Sequence, residues 1–247
     1  MNSITIAFLL TTIAGLSTLL GTLPIFINIK NENKIIASSL SFAAGVMICM
    51  SIFDLIPESI SMLKTNYTSI GVISLSFIFI LLGIIIFSFI EKEVPSNNNG
   101  SLYKVGIISM LAIMLHNIPE GIATFILTTK DVNLGISMSL AIAIHNIPEG
   151  VSIAVPIYYA TKRKGKALLY TLVSSLSESL GAILTFLFLL PFINDIFLGL
   201  LFSFIAGIML YISFFDILPT SISYNEKRLT KLFFVIGIIF MLLKYFV

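Results

Sequence analysis

The chain of 247 residues holds two histidines, and both open the same hexapeptide: His116-Asn117-Ile118-Pro119-Glu120-Gly121 and His145-Asn146-Ile147-Pro148-Glu149-Gly150. On a helix the first and fifth residues of this motif share a face, and Asn with Glu at i, i+3 shares nearly the same one. Each copy therefore presents imidazole, amide and carboxylate together. Imidazole nitrogen with carboxylate oxygen is a ligand set for zinc and similar borderline ions, while added amide and carboxylate oxygens suit ferrous or manganous ions. His116, Asn117, Glu120, His145, Asn146 and Glu149 are thus six candidate metal ligands, and the doubling makes the signal strong.

Other polar residues are placed less distinctively. Glu178, flanked by Ser175, Ser177 and Ser179, is the one further acid expected deep in an apolar helix; its bland alternative is a protonated side chain bonded to those serines. Asp54, Glu58 and Asp216 fall near helix ends, where they are positioned to gather and release cations or simply to be solvated. Pro119 and Pro148 withhold hydrogen bonds from the carbonyls of Leu115 and Ile144, freeing them to face a cavity or merely kinking the helix. Gly121 and Gly150 allow close helix packing.

The elements that must position these groups are membrane helices. Hydrophobic residues make up 57% of the chain and charged ones 11%, against about 25% charged in a soluble domain. On a ruler of roughly 20 apolar residues per span, the chain divides into eight runs at about 4–28, 35–62, 70–90, 105–128, 134–159, 167–190, 196–220 and 230–246, a single transmembrane domain over 1–247. The two motifs lie in the fourth and fifth runs, each about 21 Å from the turn near Lys130 at 1.5 Å per residue, hence both near mid-membrane. An unpaired carboxylate there costs several kcal/mol. The lysines and arginines lie in the connections, far along the helix axis, so a visiting metal is the simplest countercharge. Of the 14 basic residues, eleven fall in the first, third, fifth and seventh connections and three elsewhere, which predicts both termini outside the cytoplasm. The loop from Glu91 to Lys104 is then cytoplasmic, flexible and of no evident chemistry.

Residues 41–60, SFAAGVMICMSIFDLIPESI, repeat as 203–222, SFIAGIMLYISFFDILPTSI, with eleven of twenty positions identical at an offset of 162. The matches include Gly45 with Gly207, Asp54 with Asp216 and Pro57 with Pro219, which composition alone rarely produces. A weaker echo pairs LSTLLG at 16–21 with LSESLG at 176–181. Helices 1–3 and 6–8 then form an inverted repeat, because the number of spans between the copies reverses their direction across the bilayer. In such transporters the binding site lies near the midplane at the repeat interface.

Eight spans, outside termini and HNIPEG in both the fourth and fifth helices resemble the ZIP (Zrt/Irt-like) family of metal transporters, along essentially the whole chain. The resemblance implies an all-α 3+2+3 helix bundle in a bacterial inner membrane. It implies import of zinc, and with it iron, manganese, cobalt or cadmium, through a two-metal centre between helices 4, 5 and 6. By motif, His116, Asn117 and Glu120 would supply helix 4 ligands, His145, Asn146 and Glu149 those of helix 5, and Glu178 would complete the second site. Glu149 and Glu120 would bridge the metals, and Met47 matches a helix 2 methionine that some members use. The histidine-rich cytoplasmic loop of the family is absent, since both histidines lie in the motifs.

Other function classes fare worse. A zinc protease would need His-Glu-x-x-His spacing, which is missing, and no nucleophile motif is evident, so an enzyme is not expected. The one cysteine, Cys49, excludes an intramolecular disulfide framework and a Cys-rich metal cluster. A passive pore lined by the same ligands is the stronger rival. The expected partners are the divalent ions and the bilayer, with a homodimer left open; nucleic acid and organic cofactors are not expected.

Overall fold

The computed structural model describes residues 2–27, 31–94 and 100–243, and the regular structure in them is entirely helical. Eight helices follow one another: α1 Ser3–Phe26, α2 Glu32–Leu63, α3 Ser69–Glu93, α4 Ser101–Lys130, α5 Val132–Thr161, α6 Lys164–Leu189, α7 Asp195–Ser223 and α8 Lys227–Leu243. The first seven are long and apolar enough to cross a bilayer. The 17 described residues of α8 rise about 26 Å at 1.5 Å each. Large apolar side chains such as Ile70, Phe77, Phe188, Phe192 and Phe215 stand exposed around the molecule. That surface is suited to lipid rather than water. The chain is an all-helical, multi-pass membrane protein.

Local chemistry sets where helices begin. Asn31, Thr68 and Asn194 cap α2, α3 and α7 by accepting the N–H groups of Lys34, Gly71 and Phe197. Asp131 alone separates α4 from α5, and its Oδ1 accepts from the N–H groups of Asn133 and Leu134 at 2.8 and 3.2 Å. So short a turn forces α4 and α5 into an antiparallel pair and brings residues 116–121 and 145–150 to the same depth.

Helix packing around this pair is close enough to be settled by missing side chains. A methyl group at Gly121 would overlap the carbonyl oxygen of Glu178 on α6, and one at Gly150 would overlap that of Thr18 on α1. The α4–α6 and α5–α1 backbones thus touch, drawing Glu178 beside the two motifs. α2 and α7 form the buried interior alongside, with Met47, Met50, Ile205, Met209 and Ile212 in the main apolar cluster.

The duplicated segments carry matched irregularities. α2 widens into a π turn at Ser51–Leu55 and α7 does so at Ser213–Ile217, at the same offset of 162 as the repeated sequences. Pro57 and Pro219 explain both, because neither supplies the N–H that the carbonyl four residues earlier requires. Ile56 N–H bonds to Ser51 O instead, and Leu218 N–H to Ser213 O. Ser51 and Ser213 return their hydroxyls to Met47 O and Met209 O at 2.8 and 2.7 Å. Each π turn presents one acid, Asp54 or Asp216.

Candidate metal centre

The facing motifs of α4 and α5 bring their histidines and glutamates together. His145 Nε2 lies 2.9 Å from Glu120 Oε1, and His116 Nε2 lies 3.2 Å from the same oxygen and 3.3 Å from Glu149 Oε1. Ligand atoms of His116, Glu120 and His145 all fall within 4.8 Å of one another, and all three residues are buried. This i, i+4 pairing on α4, closed by His145 from α5, is the three-sided N/O arrangement of a metal site that keeps one position open.

Both asparagines turn their amide nitrogens to backbone on neighbouring helices. Asn117 Nδ2 donates to Ser174 O on α6 at 3.3 Å, and Asn146 Nδ2 donates to Ala14 O on α1 at 2.9 Å. Asn146 Nδ2 also reaches Glu178 Oε2 at 3.0 Å. Anchoring nitrogen in this way leaves the amide oxygens as the free lone-pair donors.

Seven buried polar atoms here have neither a hydrogen-bond nor an ion-pair partner: Nδ1 of His116 and of His145, Oδ1 of Asn117 and Asn146, Oε2 of Glu120 and of Glu149, and Oε1 of Glu178. A cation among them would satisfy these lone pairs. Protein cations do not: among the described residues, the Lys–Glu ion pairs, Lys104–Glu91 and Lys162–Glu32, sit at helix ends.

A cavity of about 550 Å³ leads to the centre from the end that carries the α2–α3, α4–α5 and α6–α7 connections. Glu120 and His145 lie at its inner limit, and Asp54, Glu58, Asp195 and Lys130 line it nearer the mouth. Asp54 and Glu58 therefore share one space with the centre. Asp216 lies at the opposite end, within electrostatic reach of Glu91 and Lys104. Met47 is fully buried in the apolar cluster, and the methionines of α2 that line the cavity are Met50, near Asp54, and Met62. Asp195 and Met50 were not singled out by the sequence. Asp195 reads as connection punctuation beside the Asn194 cap, and α2 is apolar on every face over residues 42–50, so periodicity cannot choose between Met47 and Met50.

A family model described as ZIP zinc transporter matches residues 96–244. A protein named zinc transporter ZupT from Oceanobacillus iheyensis is 39% identical, the alignment covering 93% of this chain and 93% of that one. Proteins of the same name from Clostridium perfringens and Streptococcus mutans are 37% and 38% identical, covering 98% and 90% of this chain and 95% and 90% of their own lengths.

Proposed function

This chain belongs to the ZIP zinc transporter family, whose members are transporters and not enzymes, and we propose on that premise that it imports zinc across a bacterial plasma membrane. The observation that carries the proposal is the buried cluster of His116, Glu120 and His145, with ligand atoms within 4.8 Å, at the inner limit of a cavity open at one end. The lining acids Asp54, Glu58 and Asp195 concentrate divalent cations at that mouth. The ion then sheds water against the imidazoles and carboxylates of the centre.

The centre holds two ions in this proposal. His116, Glu120, His145 and Glu149 take the first; Asn117, Asn146 and Glu178 hold the second, with Glu120 and Glu149 bridging. Support comes from the unpartnered Oε2 of Glu149 and Oε1 of Glu178, the free amide oxygens of both asparagines, and the Asn146–Glu178 contact that ties α5 to α6. Oxygen donors of the second site suit harder ions, so ferrous and manganous ions are carried alongside zinc, with cobalt and cadmium as further cargo. Outside termini and the 3+2+3 arrangement with its inverted repeat belong to the same reading. In favour of the repeat stand the π turns at Ser51–Leu55 and Ser213–Ile217 and the paired bonds Ser59 Oγ to Gly199 O and Ser221 Oγ to Ala37 O, related by the same offset of 162. A carrier is favoured over a pore by the packing of the other end, where Tyr103, Ile108, Ile208 and Ile212 belong to the main buried cluster.

Radiolabelled zinc uptake into proteoliposomes tests the proposal. Saturable uptake with exchange between the two faces is expected, and its absence in correctly inserted protein overturns the reading. Cysteines at Thr129 and Lys164 test orientation: labelling of the first from outside and the second from the cytoplasm is expected, and the reverse pattern inverts the topology.

A further inference from the structure

We propose that Glu91, Lys104 and Tyr211 form the gate of the closed end, a charged latch that must part before an ion can leave past Asp216. Glu91 lies in the last turn of α3, Lys104 in the first turn of α4, and Tyr211 in α7 two residues before the π turn that presents Asp216. The Glu91 carboxylate is shared between the other two: Lys104 Nζ binds Oε1 at 2.9 Å, and the Tyr211 hydroxyl donates to Oε2 at 2.6 Å. One side chain thereby ties three helices at a single point.

The latch lies directly on the exit. Tyr211 stacks on Phe215 with ring centroids 5.0 Å apart and meets Phe87 edge-on at 6.2 Å, so the hydroxyl is held by two aromatic neighbours on α7 and α3. Asp216 Oδ2 is enclosed without a hydrogen-bond partner, and its charged neighbours are Glu91 and Lys104. A departing cation would be attracted by both carboxylates, and Lys104 now holds that place beside Glu91 as a tethered ammonium. Opening the end requires Lys104 to swing away, and its side chain, 25% exposed, has room to do so.

The open end is built from matched sequence without these groups. At the repeat offset of 162, Tyr211 corresponds to Cys49, and at the motif offset of 29, Lys104 corresponds to Asn133. Neither Cys49 nor Asn133 supplies the ammonium or phenol that a carboxylate latch uses. Nothing comparable can form from those two positions, and the cavity opens at that end.

The inference rests on the cavity being one mouth of the transport path, and its test reads conformation rather than transport. A cysteine replacing Met138, which lines the cavity, is labelled with a membrane-impermeant maleimide in the full-length reconstituted protein; native Cys49 is 2% exposed and stays silent. If the latch holds the far end shut, Glu91→Gln and Tyr211→Phe shift the population away from the state with the cavity open. Thiols placed at Thr220, beyond Asp216 on α7, then label up to about tenfold faster, the rise in a minor state when one charge-assisted contact is weakened by about 1.4 kcal/mol. Labelling at Met138 slows by less, because the state with the cavity open starts as the majority. Lys104→Arg retains the charge and keeps labelling near the parent rate at both positions. Unchanged rates at both positions in Glu91→Gln and Tyr211→Phe, with protein of normal size and zinc binding, overturn the latch. A parent protein whose Met138→Cys labelling ignores saturating zinc argues instead against the cavity as the entry path, leaving the latch comparison readable.

Discussion

Asp54 and Asp216 occupy matched positions in duplicated segments, and their backbones agree in detail: a π turn, a serine hydroxyl bonded four residues back and a proline three residues on. Their surroundings differ. Asp54 lines a cavity that reaches Glu120 and His145, whereas Asp216 sits beside Glu91, Lys104 and Tyr211 at a packed end. Local geometry thus follows the repeated residues, while the open or closed character of each end follows residues that were not duplicated. A nearly symmetric backbone can carry an asymmetric state with only a few side chains deciding it.

The centre between the two ends belongs to both, so damage there should erase the difference between them. Glu149→Gln is expected to have the largest effect. If Glu149 bridges two ions as proposed, each loses a charge-assisted contact worth about 1.5–3 kcal/mol, one to two decades in affinity per site. Uptake of zinc and iron should therefore fall together, by at least about a hundredfold if both sites are affected. Uptake of each metal at matched membrane expression measures it. Near-normal transport would reduce the HNIPEG glutamates to structural residues.

His145→Ala should act more weakly and more selectively. It removes a neutral nitrogen donor from the cavity side of the centre while leaving His116 in place. Zinc should lose about one decade in apparent affinity and iron less, because imidazole favours the borderline ion. Competition between the two metals in one uptake assay reads the ratio directly. Equal losses would mean that the imidazole orients Glu120, its neighbour at 2.9 Å, rather than ligating zinc.

How much of this was legible in the sequence depends on whether the relevant spacing lay within one helix. HNIPEG declares itself because i, i+4 puts His and Glu on one face, and a one-residue turn at Asp131 makes the two faces meet. Glu178 was legible as an acid in an apolar run, and the close backbone contact of Gly121 with Glu178 brings it to the motifs. Contacts between distant helices were not legible. Nothing in the sequence pairs Asn117 with Ser174 or Asn146 with Ala14, since each bond runs from a side chain to a backbone carbonyl that any residue would supply. The Glu91 to Lys104 segment read as solvated loop charge, although both side chains turn out to be tied into one cluster with Tyr211. Between Met47 and Met50 the sequence does not choose, because residues 42–50 of α2 are apolar on every face and hide the helix phase.

The smallest expected effects test the comparison of the two ends most directly. A unit charge acting on a divalent ion at roughly 10 Å through water contributes about 0.8 kcal/mol before screening, and physiological salt, with a Debye length of about 8 Å, reduces that further. Asp54→Asn should therefore raise the apparent KM for external metal about two- to threefold, with the maximal rate nearly unchanged, because Asp54 acts on the ion before it reaches the centre. Glu58 and Asp195 line the same cavity, so the remaining charges blunt the loss of any one. Asp216 has no comparable reserve: its charged neighbours are Glu91, already engaged by Lys104 and Tyr211, and Lys104 itself. Asp216→Asn should leave KM in place and lower the maximal rate, since the ion it serves has already passed the centre. Raising ionic strength should shrink the Asp54 effect, which acts through an open aqueous mouth, and spare the Asp216 effect, which acts in an enclosed one. Kinetics of both variants across a salt series separate the cases. If the two substitutions give the same signature at every salt concentration, the ends do not differ in function and the asymmetry seen in the structure has no bearing on direction.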